Sequence, residues 1–302
     1  MPPSRARPAQ ETTGAQALPF VLLMITGTLI GVFAVLAKAA ANTGWDPVAY
    51  LFWGLAGSGI ALTAAAVVTR QQLPHNRHAL LYYLGSGLLS GALPNALSFA
   101  AVPHVGASFV ALGFAFPPLL SYAMALVLRM ERYRTLRTIG LLLGLVGVVI
   151  IVIEKLEIEG DSVFWIAIAL TAPVIVAGGN IFRSLFWPPG ATPSSLVPGM
   201  LLAATLLLAP YLVVNDIPIA PPLTAETVGL ALVLVAVFAG TFRLIFLLQS
   251  IAGPVYLAQI GSVGAAAGAA LAVAIYNEPA GIELIAATAI ILTGAFLVNR
   301  TR

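Results

Sequence analysis

The chain has 302 residues, of which 60% are hydrophobic and 8% are charged, and its mean hydropathy is +1.01. Soluble domains carry about 25% charged residues, so this composition excludes an ordinary soluble protein and indicates an integral membrane protein. The absence of cysteine excludes disulfides, thiolate nucleophiles and zinc–thiolate sites. The 14 lysines and arginines lie mostly between apolar runs, which is typical of topology signals and not of a nucleic-acid-binding patch.

Ten apolar stretches follow a polar, proline-rich tail at residues 1–17. We predict that this tail is cytoplasmic, because the apolar run beyond it is too long for a signal-peptide core. A helix needs about 20 apolar residues to cross a hydrocarbon core of about 30 Å. The predicted spans are residues 18–41, 47–69, 79–101, 105–128, 138–153, 163–186, 195–214, 227–250, 254–276 and 281–299.

Basic residues outside the spans predict the orientation of the chain. With the N-terminus inside, the outer segments contain only Lys155, and all other basic residues outside the spans fall on the cytoplasmic side. This asymmetry is the positive-inside pattern, so we predict a multi-pass protein of the cell inner (plasma) membrane with both termini cytoplasmic. The inner basic residues are Arg5, Arg7, Arg70, Arg77, Arg129, Arg132, Arg134, Arg137, Arg300 and Arg302.

The chain repeats itself at an offset of 147 residues, which places residues 106–131 over 253–278 without a gap. Glycines, alanines and a closing glutamate coincide, and at an offset of 146 "GWDP" coincides with "GATP". We therefore predict two repeats of five helices, at residues 18–153 and 163–299, in one all-α membrane domain. Because five is odd, the second repeat enters the membrane in the opposite sense. Inverted repeats of this kind let many transporters alternate access around a midplane site.

Each repeat closes its fourth span with a glutamate and follows it with a glycine-bearing fifth span: Glu131 precedes "TIGLLLGLVGVVIIV", and Glu278 precedes "ELIAATAIILTGAFLV". With ten spans in about 300 residues, this pattern resembles the drug/metabolite transporter superfamily, and most closely its EamA-type members. The resemblance implies a transporter of small metabolites. The length of the chain and its Trp-, Phe- and Tyr-bearing helices make it similar to bacterial exporters of aromatic and neutral amino acids. This likeness is an analogy at the level of the family.

The two matched glutamates, Glu131 and Glu278, lie at opposite membrane boundaries in the predicted topology. They fit proton carriers or gate contacts. Because both lie at the water boundary, the sequence favours caps at the positive N-terminal ends of the spans that follow them, where Pro279 would occupy a favourable first-turn position.

Three basic residues lie inside spans. Arg243 is seven residues from the inner end of its span, roughly 10 Å deep at about 1.5 Å per residue, so it is either a ligand for a substrate carboxylate or a side chain that snorkels to the cytoplasm. Lys38 and Arg183 lie within about one turn of their helix ends, and for them the sequence favours snorkelling anchors.

Neutral polar and aromatic residues supply the remaining candidates for a substrate site. Asn95 follows Pro94, and Gln259 and Ser262 are predicted to share one helix face with Tyr256. Such side chains either bind substrate or join helices within the bilayer. The candidate substrate-binding residues are Arg243, Tyr256, Gln259, Ser262, Asn95, Phe114 and Asn180.

The prolines and glycines predict how the spans differ. In "GFAFPPLL", Phe114 precedes Pro117 and Pro118, so we expect the fourth span to bend there, as the third does at Pro94. The fifth span has glycines on a close-packing face and is predicted to be scaffold or a dimer face, as is the tenth. We therefore predict that the transport path is lined by spans 1, 3, 4, 6, 8 and 9.

The function predicted from these features is export of small metabolites, and of amino acids in particular, through a largely apolar cavity. All eleven Asp and Glu residues lie in loops, tails or helix ends, which predicts facilitated diffusion without a buried-carboxylate proton cycle. The histidines fall in loops and no metal or nucleotide motif occurs, so no enzyme, metal or cofactor is predicted. The partners are a small-molecule substrate and the bilayer, in a monomer or homodimer. The alternatives are a lipophilic-cation exporter, a membrane scaffold and an intramembrane enzyme.

Overall fold

The computed structural model describes residues 13–127, 133–158, 162–220, 223–257, 259–278 and 281–300. Every regular element within these ranges is helical. The elements in chain order are α1 (Thr13–Asn42), α2 (Pro47–Val68), α3 (Arg77–Ser86), a π-helical segment (Gly87–Ala92), α4 (Leu93–Val105), α5 (Ala107–Gly113), α6 (Phe116–Val127), α7 (Thr135–Ile158), α8 (Ser162–Phe186), α9 (Pro193–Val214), α10 (Ala225–Leu257), α11 (Ile260–Tyr276) and α12 (Ile282–Arg300).

Helix lengths and surfaces fit a bilayer. Large apolar side chains such as Ile60, Leu206 and Leu232 are more than 60% exposed, which is unfavourable in water and favourable in lipid. The all-helical membrane fold predicted from the sequence is therefore confirmed at this level. Among the described residues, seven stretches are long and apolar enough to span a membrane: Leu18–Asn42, Pro47–Val68, Arg77–Val105, Ala107–Met124, Val163–Phe186, Pro193–Val214 and Ala225–Ala252. Three shorter apolar helices are Thr135–Gly147, Ile260–Tyr276 and Ile285–Gly294.

The third predicted span is a continuous rod with a π-helical segment inside it. Pro94, just after that segment, has no N–H to offer the carbonyl of Ser90. The side-chain amide of Asn95 donates instead to the carbonyl oxygens of Ser90, at 3.1 Å, and Gly91, at 2.7 Å. The asparagine thus satisfies backbone groups that the wide turn and the proline leave open.

The fourth predicted span, 105–128, is two helices. The backbone tightens at its break, where the N–H of Phe114 donates to Ala111 and that of Ala115 to Leu112, both at 3.0 Å. Pro117 and Pro118 follow at once in the first turn of α6, where missing N–H groups cost least. Pro118 is buried there.

The boundary between predicted spans 8 and 9 differs from its prediction. Helix α10 continues through Pro254 to Leu257, and α11 begins only at Ile260. A proline in the last turn removes one hydrogen bond without ending the helix. Tyr256 therefore belongs to α10 and Gln259 precedes α11, so the predicted single face of Tyr256, Gln259 and Ser262 is wrong. Only the backbone of Tyr256 is described.

Packing joins the two predicted repeats throughout. Helix α7 packs along α12, α1 along α11, and α2 along α9. Further contacts join α5 to α11, α4 and α6 to α8, α1 and α2 to α10, and α3 to α9. Glycines allow the closest approaches: a Cβ on Gly294 would lie 2.5 Å from the carbonyl oxygen of Gly140. The described helices therefore share one core instead of forming two separate ones.

Candidate functional site

A central cavity lies between helices of both predicted repeats. Its walls come from α1, the π-helical segment and α4, the turn at Phe114 together with α6, α8, α10, and α11. These elements belong to the six spans predicted around a path. The space that the centres of water molecules can reach is about 90 Å³. A cavity needs about 10–15 Å³ to hold one water, so this cavity has room for more than one. It therefore has room for a small solute.

The wall of this cavity is mainly apolar. Aromatic and aliphatic side chains surround a short polar edge, which is formed by Ser90, Asn95, Asn180 and Arg183. Small-molecule sites typically have such a composition, with a few polar groups on a mainly apolar wall. The apolar lining includes Ile30, Phe33, Phe114, Pro117, Val176, Phe242, Ile245 and Leu257.

The polar edge is organised around Arg183. Its Nε donates to Oε1 of Gln249 at 3.1 Å, one terminal nitrogen donates to the hydroxyl of Ser90, and the other donates to Oδ1 of Asn180 at 2.7 Å. Gln249 is held in turn by the hydroxyl of Ser184, at 3.2 Å from Nε2. The guanidinium is thus fixed by oxygens from α8, α10 and the π-helical segment.

The burial of Arg183 corrects the snorkelling interpretation. The residue is 4% exposed, and its guanidinium carbon lies 5.6 Å from the ring centre of Phe246. Although α8 ends only three residues later, that end is covered by Trp187, which packs against Phe246 and Tyr82. The side chain therefore stays inside the bundle instead of reaching the membrane surface.

A smaller chamber adjoins the central cavity and shares Asn95, Phe114, Pro117 and Val176 with it. Pro94 and Ser98 line only this chamber. Of the residues singled out in the sequence, the structure thus brings Asn95, Phe114, Asn180, Pro94 and Pro117 together.

Other predicted residues lie elsewhere. Gln259 and Ser262 line a separate groove bordered by α1, α11 and α12. Arg243 is exposed and lies in a pocket with Thr69 and Ser194, at the ends of α2 and α9. It does not line the central cavity, because Phe242 and Ile245 occupy the cavity-facing side of α10.

Glu278 lies at the opposite end of the bundle, just beyond the end of α11. One carboxylate oxygen is 2.5 Å from Nζ of Lys38 and 2.9 Å from the backbone nitrogen of Ala107, and the other is 2.9 Å from that of Ser108. We call these four residues the Glu278 cluster. Gly106, at φ +85°, turns the chain so that the first amides of α5 point at the carboxylate; a Cβ there would lie 3.2 Å from it.

The cluster corrects the predicted role of Glu278 as a cap of the following helix. It caps α5, in the other predicted repeat, and ties α1, α5 and α11 together. Burial opposes ionisation, but hydrogen bonds from Lys38 and the α5 backbone outweigh it and lower the pKa of Glu278 to about 2. The carboxylate is therefore ionised at neutral pH. Its counterpart Glu131 lies outside the described residues.

Sequence reasoning missed Ser90 and Gln249, and it separated Arg183 from Asn180. The three-residue spacing of Asn180 and Arg183 puts both on one face of α8, and that spacing was an available signal. No comparable signal marks Ser90 or Gln249, because their contacts join distant parts of the chain.

Comparison with known proteins adds an independent line. Residues 18–153 match the model of the EamA-like transporter family, and these are the residues of the first predicted repeat. None of the curated proteins compared with the chain is similar enough to match. One solved crystal structure is 21% identical, covers 95% of this chain and 98% of its own, and superposes with a TM-score of 0.58. At that identity the likeness concerns the fold alone.

Proposed function

We propose that this chain, whose residues 18–153 match the model of the EamA-like transporter family, is a member of that family and exports small metabolites across the inner membrane by alternating access. In this proposal ten spans form two inverted repeats, both termini are cytoplasmic, and the central cavity is the transported solute's site. The single observation that carries it is the position of the cavity, which is walled by helices of both repeats.

The packing of the helices supports the inverted repeat. Exchanging the repeats pairs α1 with α8, α2 with α9, α3 and α4 with α10, α5 and α6 with α11, and α7 with α12. Under this exchange the contact of α1 with α11 becomes that of α8 with α5 and α6, and the contact of α4 with α8 becomes that of α10 with α1. Both members of each pair occur. Such pseudo-symmetry offers two nearly equivalent packings, open to opposite sides.

The Glu278 cluster supports a closed state at one end of the cavity. It ties α1, which lines the cavity, and the start of α5 to the far end of α11. Opening that end requires these contacts to separate. In the proposed topology this is the outer side, so the structure corresponds to a state closed to the outside.

Small neutral and aromatic amino acids are the substrates that we propose. The apolar wall with Phe33, Phe114 and Phe242 suits their side chains, and the polar edge suits their charged end. None of the lining residues is acidic, so the cavity wall offers no carboxylate for a proton cycle. Facilitated, gradient-driven movement is the coupling that this supports.

A counterflow assay tests the proposed function. Proteoliposomes loaded with unlabelled phenylalanine should take up external labelled phenylalanine to a transient excess. A carrier that releases labelled substrate inside mostly binds unlabelled substrate for its return, so the label enters faster than it leaves. Empty liposomes provide the control for leakage. Uptake equal to that control for phenylalanine, leucine and threonine would contradict amino-acid transport, and a pH gradient that drives accumulation would contradict the uncoupled mechanism.

A further inference from the structure

Arg183 carries a positive charge that the described residues do not neutralise. Its three side-chain partners, Ser90, Asn180 and Gln249, are neutral hydroxyl or amide groups. A buried cation is costly unless an anion accompanies it, because hydrogen bonds replace its hydration but leave its charge uncompensated. The polar edge of the cavity is therefore incomplete in electrostatic terms.

The Arg183 guanidinium also has N–H groups that the described contacts do not use. It has five N–H groups in total, and the described contacts use three: one on Nε and one on each terminal nitrogen. Each terminal nitrogen thus retains one N–H group. A carboxylate, whose two oxygens accept parallel N–H bonds, matches such a pair in both charge and geometry.

Selectivity follows from what surrounds the arginine. The remainder of the cavity wall is apolar or neutral, so it stabilises an uncharged body and offers no anion to an ammonium group. A cationic ligand would be repelled by the positive charge of Arg183, and a neutral amide would leave that charge uncompensated. A small monocarboxylate with an apolar body satisfies both parts of the site.

We infer that the central cavity is a carboxylate-binding site in which Arg183 holds the anion, Ser90, Asn180 and Gln249 fix the guanidinium, and the substrate's amino group is not required for recognition. This inference rests on the proposed function, because it names the solute that the transport site would carry. It is tested by measuring ligand binding, which does not depend on transport. It extends the substrate class from amino acids to simple apolar monocarboxylates.

Titration calorimetry of the purified full-length chain tests the inference with three probes of similar shape: phenylacetate, phenylacetamide and phenethylamine. The wild-type protein should bind phenylacetate at least 10-fold more tightly than either of the others, which is the range for a hydrogen-bonded charge pair. Equal affinity for the acid and the amide, or preference for the amine, would overturn the inference without any variant.

Substitutions then assign the preference to Arg183. Arg183→Gln should weaken phenylacetate binding about 10- to 100-fold and leave phenylacetamide binding within about 3-fold. Arg183→Lys should retain part of the preference, because it keeps the charge but loses the planar donors. The control is Arg77→Gln, at an exposed arginine at the start of α3, which should bind as wild type.

The outcomes separate the inference from the proposed function. If Arg183→Gln weakens the acid and the amide equally, or retains the full preference, Arg183 does not hold the anion. If Arg183→Gln does not fold, the wild-type series and the lysine variant still decide the matter. Selective phenylacetate binding without any counterflow supports the inference and contradicts transport. Counterflow of phenylalanine without selectivity for the acid supports transport and overturns the inference.

Discussion

Replacing Gly31 by alanine should destabilise the protein strongly, because α1 and α11 meet backbone to backbone at this point. A Cβ on Gly31 would lie 2.6 Å from the carbonyl oxygen of Gly264 and 2.6 Å from the backbone nitrogen of Gly268. Backbone atoms cannot rotate away as side chains do, so the helices must separate. We expect a loss of about 3 kcal/mol or more, seen as a fall of roughly 5–10 °C in the unfolding midpoint of the detergent-purified protein.

The matched control for Gly31→Ala is Gly178→Ala. Gly178 also lies inside a helix, α8, but a Cβ there would meet nothing within 4 Å. Its replacement should be neutral or stabilising by up to about 1 kcal/mol, since alanine favours helix more than glycine does. If both variants lose stability equally, backbone flexibility and not helix contact accounts for the effect at Gly31.

Glu278→Gln should lower stability by about 2–3 kcal/mol, because it removes a charge-assisted contact to Lys38 and at least one acceptor for the α5 amides. Lys38→Met should cost less, because the α5 amides keep their acceptor. The double variant should lose less than the two single losses together, since both changes break the same pair. Strict additivity would show that the two side chains act independently. The control is Glu226→Gln at an exposed carboxylate.

The pH dependence of this effect has a definite sign. The pKa of Glu278 falls from 4.5 to about 2 on folding, so the folded state favours the ionised form. Its stabilising contribution is complete above pH 4.5 and is lost as the pH falls from there toward 2. The stability difference between wild type and Glu278→Gln should therefore be constant from pH 6 to 8 and shrink below pH 4.5. A difference that changes between pH 6 and 8 would contradict this assignment.

The sequence predicted the helical membrane fold and several members of the cavity, because hydropathy and proline placement are local properties. Asn95 and Phe114 stood out because prolines, Pro94 and Pro117, lie near them, and the structure places both on the cavity wall. Asn180 stood out as a polar residue in an apolar span. These three are identified by short-range features, which a single sequence displays.

The sequence could not show that Arg183, and not Arg243, lines the central cavity. Distance from a helix end gives depth, but it does not give the direction in which a side chain points about the helix axis. Helix α10 is apolar on all sides, so nothing in its pattern distinguishes the face with Phe242 from the face with Arg243. The direction is set by packing against α1 and α2. For the same reason Arg183 looked like a terminal anchor, whereas the aromatic cover over its helix end keeps it inside.

The role of Glu278 was limited in the same way. Repeat matching identified the residue and its counterpart Glu131, but the backbone amides it binds lie about 170 residues earlier. The nearest helix start along the chain was the natural candidate, and the observed partner comes from the other repeat. Contacts between inverted repeats are long-range by construction, so adjacency in sequence is a poor guide to them.

The central claim, that the cavity is reached alternately from both sides, is tested most directly by the reactivity of one cysteine placed in its wall. The chain has no cysteine of its own, and Val176 lines the cavity on α8, so Val176→Cys supplies a single target. A membrane-impermeant thiol reagent should modify it when added to either side of oriented proteoliposomes, and substrate should slow both reactions. Modification from one side alone, or from neither, would contradict alternating access.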